Sequence, residues 1–225
     1  MSTLIAWSGG KDSAWLLHVL RGRAHVEIAG VFTTVGEESG RVAVHEVRAE
    51  LLALQAQAAG VTLHRIPLPN PCPNAVYEER LDRFLEGAKS QGVTRLAFGD
   101  LFLEDIRRYR ERQFAASGLE LLFPLWGLPT RALAEEMTAA GLRAWITCVD
   151  TDLAPASWAG LRFDAVFVAA MPRGIDPCGE NGEFHTFVVE GPMLRSPIRT
   201  RSGQITRNGR WVYADVLPAE EDGAE

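Results

Sequence analysis

The stretch SGGKDS, residues 8–13, brings together hydroxyl groups, glycines and a lysine directly after an apolar run. Glycines let backbone N–H groups approach a ligand closely, and the start of a helix adds unpaired N–H donors at the positive end of its dipole. An ordinary glycine-rich turn between a strand and a helix is the structural alternative. Two serines and an aspartate at the end of the first predicted strand favour a loop that binds phosphate.

Two better-known phosphate-binding patterns are absent from this stretch. A Walker loop requires a glycine where Ile5 stands and a serine or threonine where Asp12 stands. The dinucleotide pattern Gly-x-Gly-x-x-Gly does not occur here either. The loop is therefore of another kind.

A second stretch rich in functional groups is CGENGEFHT, residues 178–186. A turn before a strand explains its glycines and its asparagine, but it does not explain two carboxylates, Glu180 and Glu183, on either side of that turn. His185 falls on the predicted strand, where it could also simply face solvent. Cys178 has no identifiable base beside it, so we interpret it as a bystander thiol.

Acidic and basic residues also follow the fourth predicted strand. Asp100 and Glu104 lie one turn apart if a helix begins at Asp100, and such a pair could hold Mg²⁺ or its waters. The alternative is an ordinary helix cap followed by a first-turn glutamate. Arg107 and Arg108 could bind an anionic group, or form part of a solvated helix face.

These groups require a scaffold, and the apolar pattern predicts one. Short apolar runs alternate with segments of helical periodicity, which indicates βαβ crossovers and a doubly wound, mainly parallel α/β sheet. Predicted strands cover residues 3–7, 28–33, 61–66, 95–98, 119–123 and 144–148, and predicted helices include residues 12–21 and 101–116. One further helix is expected to bury the stripe Val47, Leu51, Leu54 and Ala58.

The pattern changes beyond residue 150. Residues 182–194 and 204–216 are typical of β structure, and Asn208-Gly209 is a strong hairpin signal. We therefore expect a smaller C-terminal α+β lobe. The boundary is placed so that residues 1–130 form the loop-bearing domain and residues 131–225 form the smaller lobe.

Composition narrows the class of protein. The 225 residues carry a net charge of −6, which does not favour nucleic acid as a partner. The three cysteines form no Cys-x-x-Cys pair, so neither a disulfide framework nor a thiolate zinc site is indicated. No apolar run is long enough to cross a membrane and no leader pattern is present, so the sequence predicts a cytoplasmic protein without a membrane partner.

The loop SGGKDS resembles the pyrophosphate-binding loop of the PP-loop ATPases, or adenine nucleotide α-hydrolases, which cleave ATP between its α and β phosphates. Residues 98–112, FGDLFLEDIRRYRER, and residues 176–192, DPCGENGEFHTFVVEGP, resemble motifs of the diphthine–ammonia ligase family. In that family ATP activates a carboxylate, and ammonia converts the acyl-adenylate to an amide. One departure is that this chain has Phe184-His185-Thr186 where eukaryotic members tend to carry Tyr-Glu-Thr, and this difference bears on the substrate.

The resemblance implies a fold of the PP-loop/HUP type, with nucleotide bound by residues 1–130, substrate bound by the smaller lobe, and ATP with Mg²⁺ as cofactors. Its expected ATP-binding residues are Ser8, Gly9, Gly10, Lys11, Asp12, Ser13, Gly99 and Asp100. Its expected catalytic residues are Asp12, Glu180 and Glu183. Its expected substrate-binding residues are Glu104, Arg107, Arg108, Gly179, Asn181, Gly182 and His185.

The expected partners are ATP, ammonia and a carboxylated substrate, either diphthine on a translation elongation factor or a small metabolite. Two other functions stay open from the sequence. One is a nucleotide-binding sensor without turnover, and the other is a tRNA-modifying PP-loop enzyme. Roles for Cys178 and for His45, a lone histidine after the second strand, also stay open.

Overall fold

The computed structural model describes residues 1–42 and 46–219, so His45 lies outside the described residues. The first part of the chain alternates strands and helices. In order it forms β1 Ser2–Ala6, α1 Lys11–Arg21, β2 Glu27–Gly36, α2 Ala49–Ala59, β3 Leu63–Leu68, α3 Asn74–Ser90, β4 Val93–Ala97, α4 Glu104–Gln113 and β5 Glu120–Leu122. The following part forms α5 Thr130–Ala139, β6 Arg143–Asp150, β7 Arg162–Phe163, α6 Ala165–Ala170, β8 Phe184–Glu190, β9 Thr200–Asn208 and β10 Trp211–Pro218.

The first five strands form one parallel sheet in the order β3-β2-β1-β4-β5. Neighbouring residues of β1 point to opposite faces of this sheet, because side chains alternate along a strand. Ile5 shares a hydrophobic cluster with α1 and α2, whereas Leu4 shares the other cluster with α3. Helices therefore cover both faces, and the predicted α/β fold with a doubly wound parallel sheet is confirmed.

The C-terminal strands form a second sheet of antiparallel pairs, in the order β7-β6-β10-β9, with β8 also paired to β6. This confirms the predicted C-terminal lobe of β structure. The predicted hairpin is β9 and β10, which are joined through Gly209 and Arg210. The strand predicted over residues 144–148 belongs to this second sheet rather than to the parallel one, because its hydrogen-bonding partners are β7, β8 and β10.

The buried face of α2 overlaps the predicted stripe but is not identical to it. Val47 and Leu51 are buried as predicted and Ala58 is half-buried, but Leu54 is 39% exposed, whereas Leu52 and Gln55 are fully buried. The prediction was wrong for Leu54 because the polar character of Gln55 excluded it from the apolar stripe. A buried amide is stable when its hydrogen bonds are satisfied, and those of Gln55 are.

Helix α4 begins at Glu104, later than the predicted start at residue 101. The N–H groups of Leu101 and Phe102 point towards Glu180 Oε1, at 2.8 and 3.5 Å. This contact holds the residues after β4 in a non-helical turn. Asp100 therefore precedes the helix by four residues and does not begin it.

The second sheet contacts the first part of the chain along β8. Val188 donates its backbone N–H to the carbonyl of Gly9 at 2.9 Å, directly beside the loop between β1 and α1. The domain boundary at residue 130 stays a prediction. No helix within residues 1–42 and 46–219 is long and apolar enough to span a membrane.

Candidate functional site

A cavity of about 410 Å³ opens at the carboxyl ends of β1 and β4, bounded by α3, α4 and residues 178–186. Ligands of doubly wound sheets bind at this edge, where the strand order reverses beside β1. Ten of the residues predicted for the site line the cavity: Ser8, Gly10, Lys11, Asp12, Ser13, Gly99, Asp100, Gly179, Glu180 and His185. The fold therefore brings the loop and part of the C-terminal motif to one place.

The loop between β1 and α1 is held by hydrogen bonds among its own residues. Ser8 Oγ accepts from Gly10 N at 3.2 Å, and Ser13 Oγ donates to the Gly10 carbonyl at 3.0 Å. Gly9 has a φ of +80°, and a Cβ at that position would lie 2.6 Å from Leu52 Cδ2. Only glycine fits there, because both the conformation and the space exclude a side chain. Gly9 shapes the loop from behind and does not line the cavity.

Lys11 and Asp12 form an ion pair at the start of α1, with Nζ and Oδ2 separated by 2.8 Å. Lys11 is only 2% exposed, so its side chain does not point to solvent. Burial lowers the pKa of Lys11, but the charge of Asp12 and its hydrogen bond, together with smaller contributions from Cys178 and Glu180, outweigh this effect, so the pKa lies above its ordinary value. A permanent cation therefore stands beside the loop, which is the charge that an anionic ligand requires.

Asp12 retains one carboxylate oxygen, Oδ1, that is buried and has no hydrogen-bond partner. Within the described part of the chain, no group of three or more His, Cys, Asp or Glu side chains lies together as a metal site. A cation at this place would therefore draw on Asp12 and on the ligand itself.

Glu180 lines the cavity beside the residues that follow β4. Its Oε1 accepts the Leu101 N–H at 2.8 Å, which fixes the carboxyl group next to the residues after β4. Burial raises the pKa of Glu180 to about 7, and the nearby charge of Asp12 adds to this effect. A carboxyl group that titrates near neutrality can both accept and release a proton at physiological pH.

Glu183 occupies a different environment, behind the wall of the cavity. It is 4% exposed, and its Oε1 accepts from the backbone N–H of Asp176 at 3.1 Å and from Asn181 Nδ2 at 3.0 Å. These bonds close the turn of residues 176–183. Neither Glu183, Asn181 nor Gly182 lines the cavity. Their predicted roles in catalysis and substrate binding stay predictions. The side-chain bonds of Glu183 lie within the turn, and its backbone carbonyl accepts the Asp150 N–H at 3.0 Å.

The imidazole of His185 and the thiol of Cys178 both face the cavity. Burial lowers the pKa of His185 to about 4, so the ring is neutral at pH 7. Burial raises the pKa of Cys178 well above its ordinary value, and the thiol donates to the Thr130 carbonyl at a distance of 3.4 Å. A thiol that stays protonated is a poor nucleophile, which agrees with the bystander interpretation.

Asp100 lines the cavity in a bidentate ion pair with Arg110, at 2.5 Å from Nε to Oδ2 and 3.0 Å from Nη2 to Oδ1. Guanidinium and carboxylate fit each other in this planar arrangement. The sequence analysis named Arg107 and Arg108 and missed Arg110. Asp100 and Arg110 are ten residues apart, and the predicted start of α4 was wrong. Nothing in the sequence therefore indicated that the two side chains would pair.

The other residues predicted on α4 lie outside the cavity lining. Arg107 pairs with Glu111 at 2.9 Å and lies 4.8 Å from the Trp126 ring centroid. Arg108 donates from Nε to the Glu104 carbonyl at 3.2 Å. The structure therefore places Asp100 at the cavity and leaves Glu104, Arg107 and Arg108 outside its lining, with Glu104 and Arg108 exposed and Arg107 half-buried.

Two more residues that were not predicted for the site hold the loop in place. Thr186 Oγ1 accepts the Lys11 N–H at 3.0 Å, and Gln55 Nε2 donates to the Gly9 carbonyl at 3.0 Å. Thr186 belongs to the motif at residues 178–186, but nothing in the sequence indicates which group its hydroxyl contacts. A glutamine among the apolar residues of α2 was a signal that could have been used.

The parallel sheet, with its loop at the start of α1 and a cavity at the strand ends, defines an α/β protein of the PP-loop class. Family models make the assignment specific: the diphthamide synthase N-terminal domain matches residues 1–121, and the diphthamide synthase C-terminal domain matches residues 129–221. The chain therefore belongs to the diphthamide synthase family. A search of curated proteins found no match for it.

Proposed function

We propose that this protein is an ATP-dependent amide ligase that joins ammonia to a substrate carboxylate and forms AMP and pyrophosphate. One observation carries the proposal: the loop of residues 8–13 and the carboxyl group of Glu180 face the same cavity. A phosphate-binding loop alone would suit a nucleotide sensor. A titratable carboxyl group in the same cavity also supplies the proton acceptor that amide formation needs.

The loop residues would bind the pyrophosphate part of ATP. Ser8 and Ser13 bring hydroxyl groups to the cavity, and Lys11 brings a charge that its burial protects from solvent screening. The N-terminus of α1 adds its dipole and N–H donors. These groups would stabilise the pyrophosphate as it leaves and the substrate oxygen bonds to the α phosphorus.

Mg²⁺ fits this site as part of a nucleotide complex. It prefers carboxylate and phosphate oxygens and is commonly held by one or two carboxylates together with substrate phosphates. Asp12 has the unpartnered oxygen Oδ1 for this role. The ion would neutralise phosphate charge, while Lys11 keeps the Asp12 carboxylate in place through its 2.8 Å contact.

Glu180 would act in the second half of the reaction. When ammonia attacks the acyl-adenylate, a C–N bond forms, the bond from the acyl carbon to the phosphate oxygen breaks, and AMP leaves. The attacking nitrogen must lose a proton, and ionised Glu180 would accept it. Its pKa of about 7 places it in the range where a general base works at physiological pH. The neutral ring of His185 would orient the substrate beside it.

The substrate is a carboxylate, which we propose to be diphthine on a translation elongation factor or a small metabolite. The family match supports the first. The exposed arginines of α4, outside the cavity, support a large acidic partner more than a small one. Both classes share the carboxylate that the reaction requires.

The deciding experiment is exchange of labelled pyrophosphate into ATP, screened across carboxylates with a lysate of the source organism as one sample. The proposal expects exchange only with the true substrate, and AMP and pyrophosphate as products once ammonia is added. Formation of ADP and phosphate would contradict it. ATP binding without exchange in any sample would favour the sensor instead.

A further inference from the structure

Gln55 is a fully buried polar residue on α2, with 0% of its surface exposed. Its amide group makes hydrogen bonds to Trp7, to β8 and to the loop of residues 8–13, which we call the phosphate loop. Its Oε1 accepts from Trp7 Nε1 at 2.8 Å, and its Nε2 donates to the carbonyls of Gly9 at 3.0 Å and Val188 at 2.7 Å. One side chain therefore connects the end of β1, the loop and β8.

These contacts hold the loop from the side that faces away from the cavity. The Gly9 carbonyl accepts from both Gln55 Nε2 and the Val188 N–H. A carbonyl fixed in this direction fixes the following peptide N–H in the opposite direction, because the peptide unit is planar. The orientation of the Gly10 N–H and of its Ser8 contact is thus coupled to Gln55.

Burial of the Gln55 carboxamide in an apolar helix face costs free energy, which indicates that this side chain has a role. The neighbours of Gln55 on the buried face of α2 are Leu51, Leu52, Ala56 and Ala59, which need no polar partners. Burying a carboxamide is unfavourable unless its bonds are all made, and an apolar side chain would bury more simply. An apolar residue here would also remove the acceptor of Trp7 Nε1.

We propose that Gln55 is a positioning residue that sets the conformation of the phosphate loop and couples it to β8. The role rests on the proposed function, in which this loop binds the phosphates of ATP. Gln55 touches neither the cavity nor the reacting atoms, so it acts through Gly9. It also ties the loop to the strand that carries His185 and Thr186, so that both halves of the site share one support.

The first test does not depend on nucleotide. Gln55→Met removes all three bonds at similar volume, and Gln57→Met is the matched control on the exposed face of the same helix. In the ligand-free protein, backbone hydrogen exchange at residues 8–11 is expected to accelerate by about 10-fold or more in Gln55→Met and not in Gln57→Met. Unchanged exchange at the loop in a folded Gln55→Met variant would overturn the proposal.

The second test separates the loop from the rest of the site. Gln55→Met is expected to weaken ATP by about 10-fold or more while leaving adenosine within about twofold, because only the phosphates contact the loop. Equal weakening of both ligands would show general damage to the site and overturn the proposal. If the wild-type protein bound no ATP, the proposed function would fail, and loop exchange would still decide the role of Gln55.

Gln55→Glu gives an independent readout and covers the case in which Gln55→Met does not fold. A protonated carboxyl group can still accept from Trp7 and donate to one carbonyl, whereas the ionised form sets a negative charge against two carbonyl oxygens. The ratio of its ATP affinity to that of the wild type is therefore expected to rise as pH falls. A ratio independent of pH would contradict a positioning role.

Discussion

The loop of residues 8–13 and the acidic turn of residues 176–183 both border the cavity, but they are built differently. The loop acts through backbone groups and short side chains, and its internal bonds join residues within five positions of each other. In the turn, Glu180 and Glu183 stand three positions apart, yet Glu180 lines the cavity and Glu183 is enclosed behind it. Sequence spacing therefore describes the loop, whereas the fold decides which carboxylate of the turn lines the cavity.

The sharpest test of this contrast is Glu180→Gln. The amide can still accept the Leu101 N–H, but it cannot accept a proton from ammonia. Loss of a general base typically lowers the rate by ~10² to 10⁴, and amide formation measured by rapid quench is expected to fall in this range. ATP binding and pyrophosphate exchange should remain, because the phosphates contact the loop.

Glu183→Gln is the matched control for that variant. Its Oε1 can still accept from Asp176 and Asn181, so the turn should keep its shape. The expected loss of amide formation is less than about 10-fold. If instead Glu183→Gln lost as much activity as Glu180→Gln, the contrast between the two carboxylates would be wrong.

The second prediction concerns stability against pH. The pKa of Glu180 is raised in the folded protein to about 7, so the folded state holds a proton that the unfolded state releases at lower pH. The protein should therefore lose stability as pH rises from the ordinary glutamate pKa to about 7. Glu180→Gln removes this dependence. Relative to the wild type it should gain about 2 kcal/mol between pH 5 and pH 8.5, after allowance for partial exposure.

Urea unfolding of both proteins at the two pH values measures this gain. Other titrating groups cancel in the difference between wild type and variant. A difference that stays constant with pH would show that the Glu180 pKa is not raised, and would weaken its assignment as the base.

The third prediction addresses the contact between the two regions. Thr186→Val removes the acceptor of the Lys11 N–H at the start of α1, while Thr186→Ser keeps it. A single hydrogen bond contributes about 0.5–1.5 kcal/mol, so ATP affinity should fall by roughly 2- to 12-fold in the valine variant. Titration calorimetry should find the serine variant close to the wild type, and equal losses in both would exclude this hydrogen bond as the cause.

The smallest effect is expected on the outer surface of α4. Arg108→Ala removes a side chain that contacts the Glu104 carbonyl and does not line the cavity. ATP affinity should change by less than about twofold, as for most exposed charges. A large loss would show that α4 closes onto the nucleotide and that the predicted role of Arg108 at the site is direct.

Much of the fold was accessible from the sequence, because strand and helix patterns are local. The parallel sheet and the hairpin of β9 and β10 follow from apolar periodicity and turn residues. The membership of β6 in the second sheet was not accessible, because it depends on its partners β7, β8 and β10, which its own residues do not identify. The start of α4 was misplaced for a similar reason, since a distant side chain, Glu180, holds the preceding N–H groups.

The site shows the same division. Residues 8–13 were predicted to belong to the site from their own residue types, and most of them line the cavity. Arg110, Thr186 and Gln55 were missed, because each is defined by a partner at least ten positions away. Glu104, Arg107 and Arg108 were grouped with the site on their position in the chain, which did not reveal the face of α4 that they occupy.

The bond between Lys11 and Thr186 has a consequence for biosynthesis. The loop is translated before its partners Thr186 and Val188, which follow about 175 residues later. At about 5–20 residues per second, the ribosome takes roughly 9–35 s to cover that distance. During this time the nascent parallel sheet lacks the strand that braces its loop. The two sides of the cavity are therefore made far apart in time, and the loop is braced only after β8 has been synthesised.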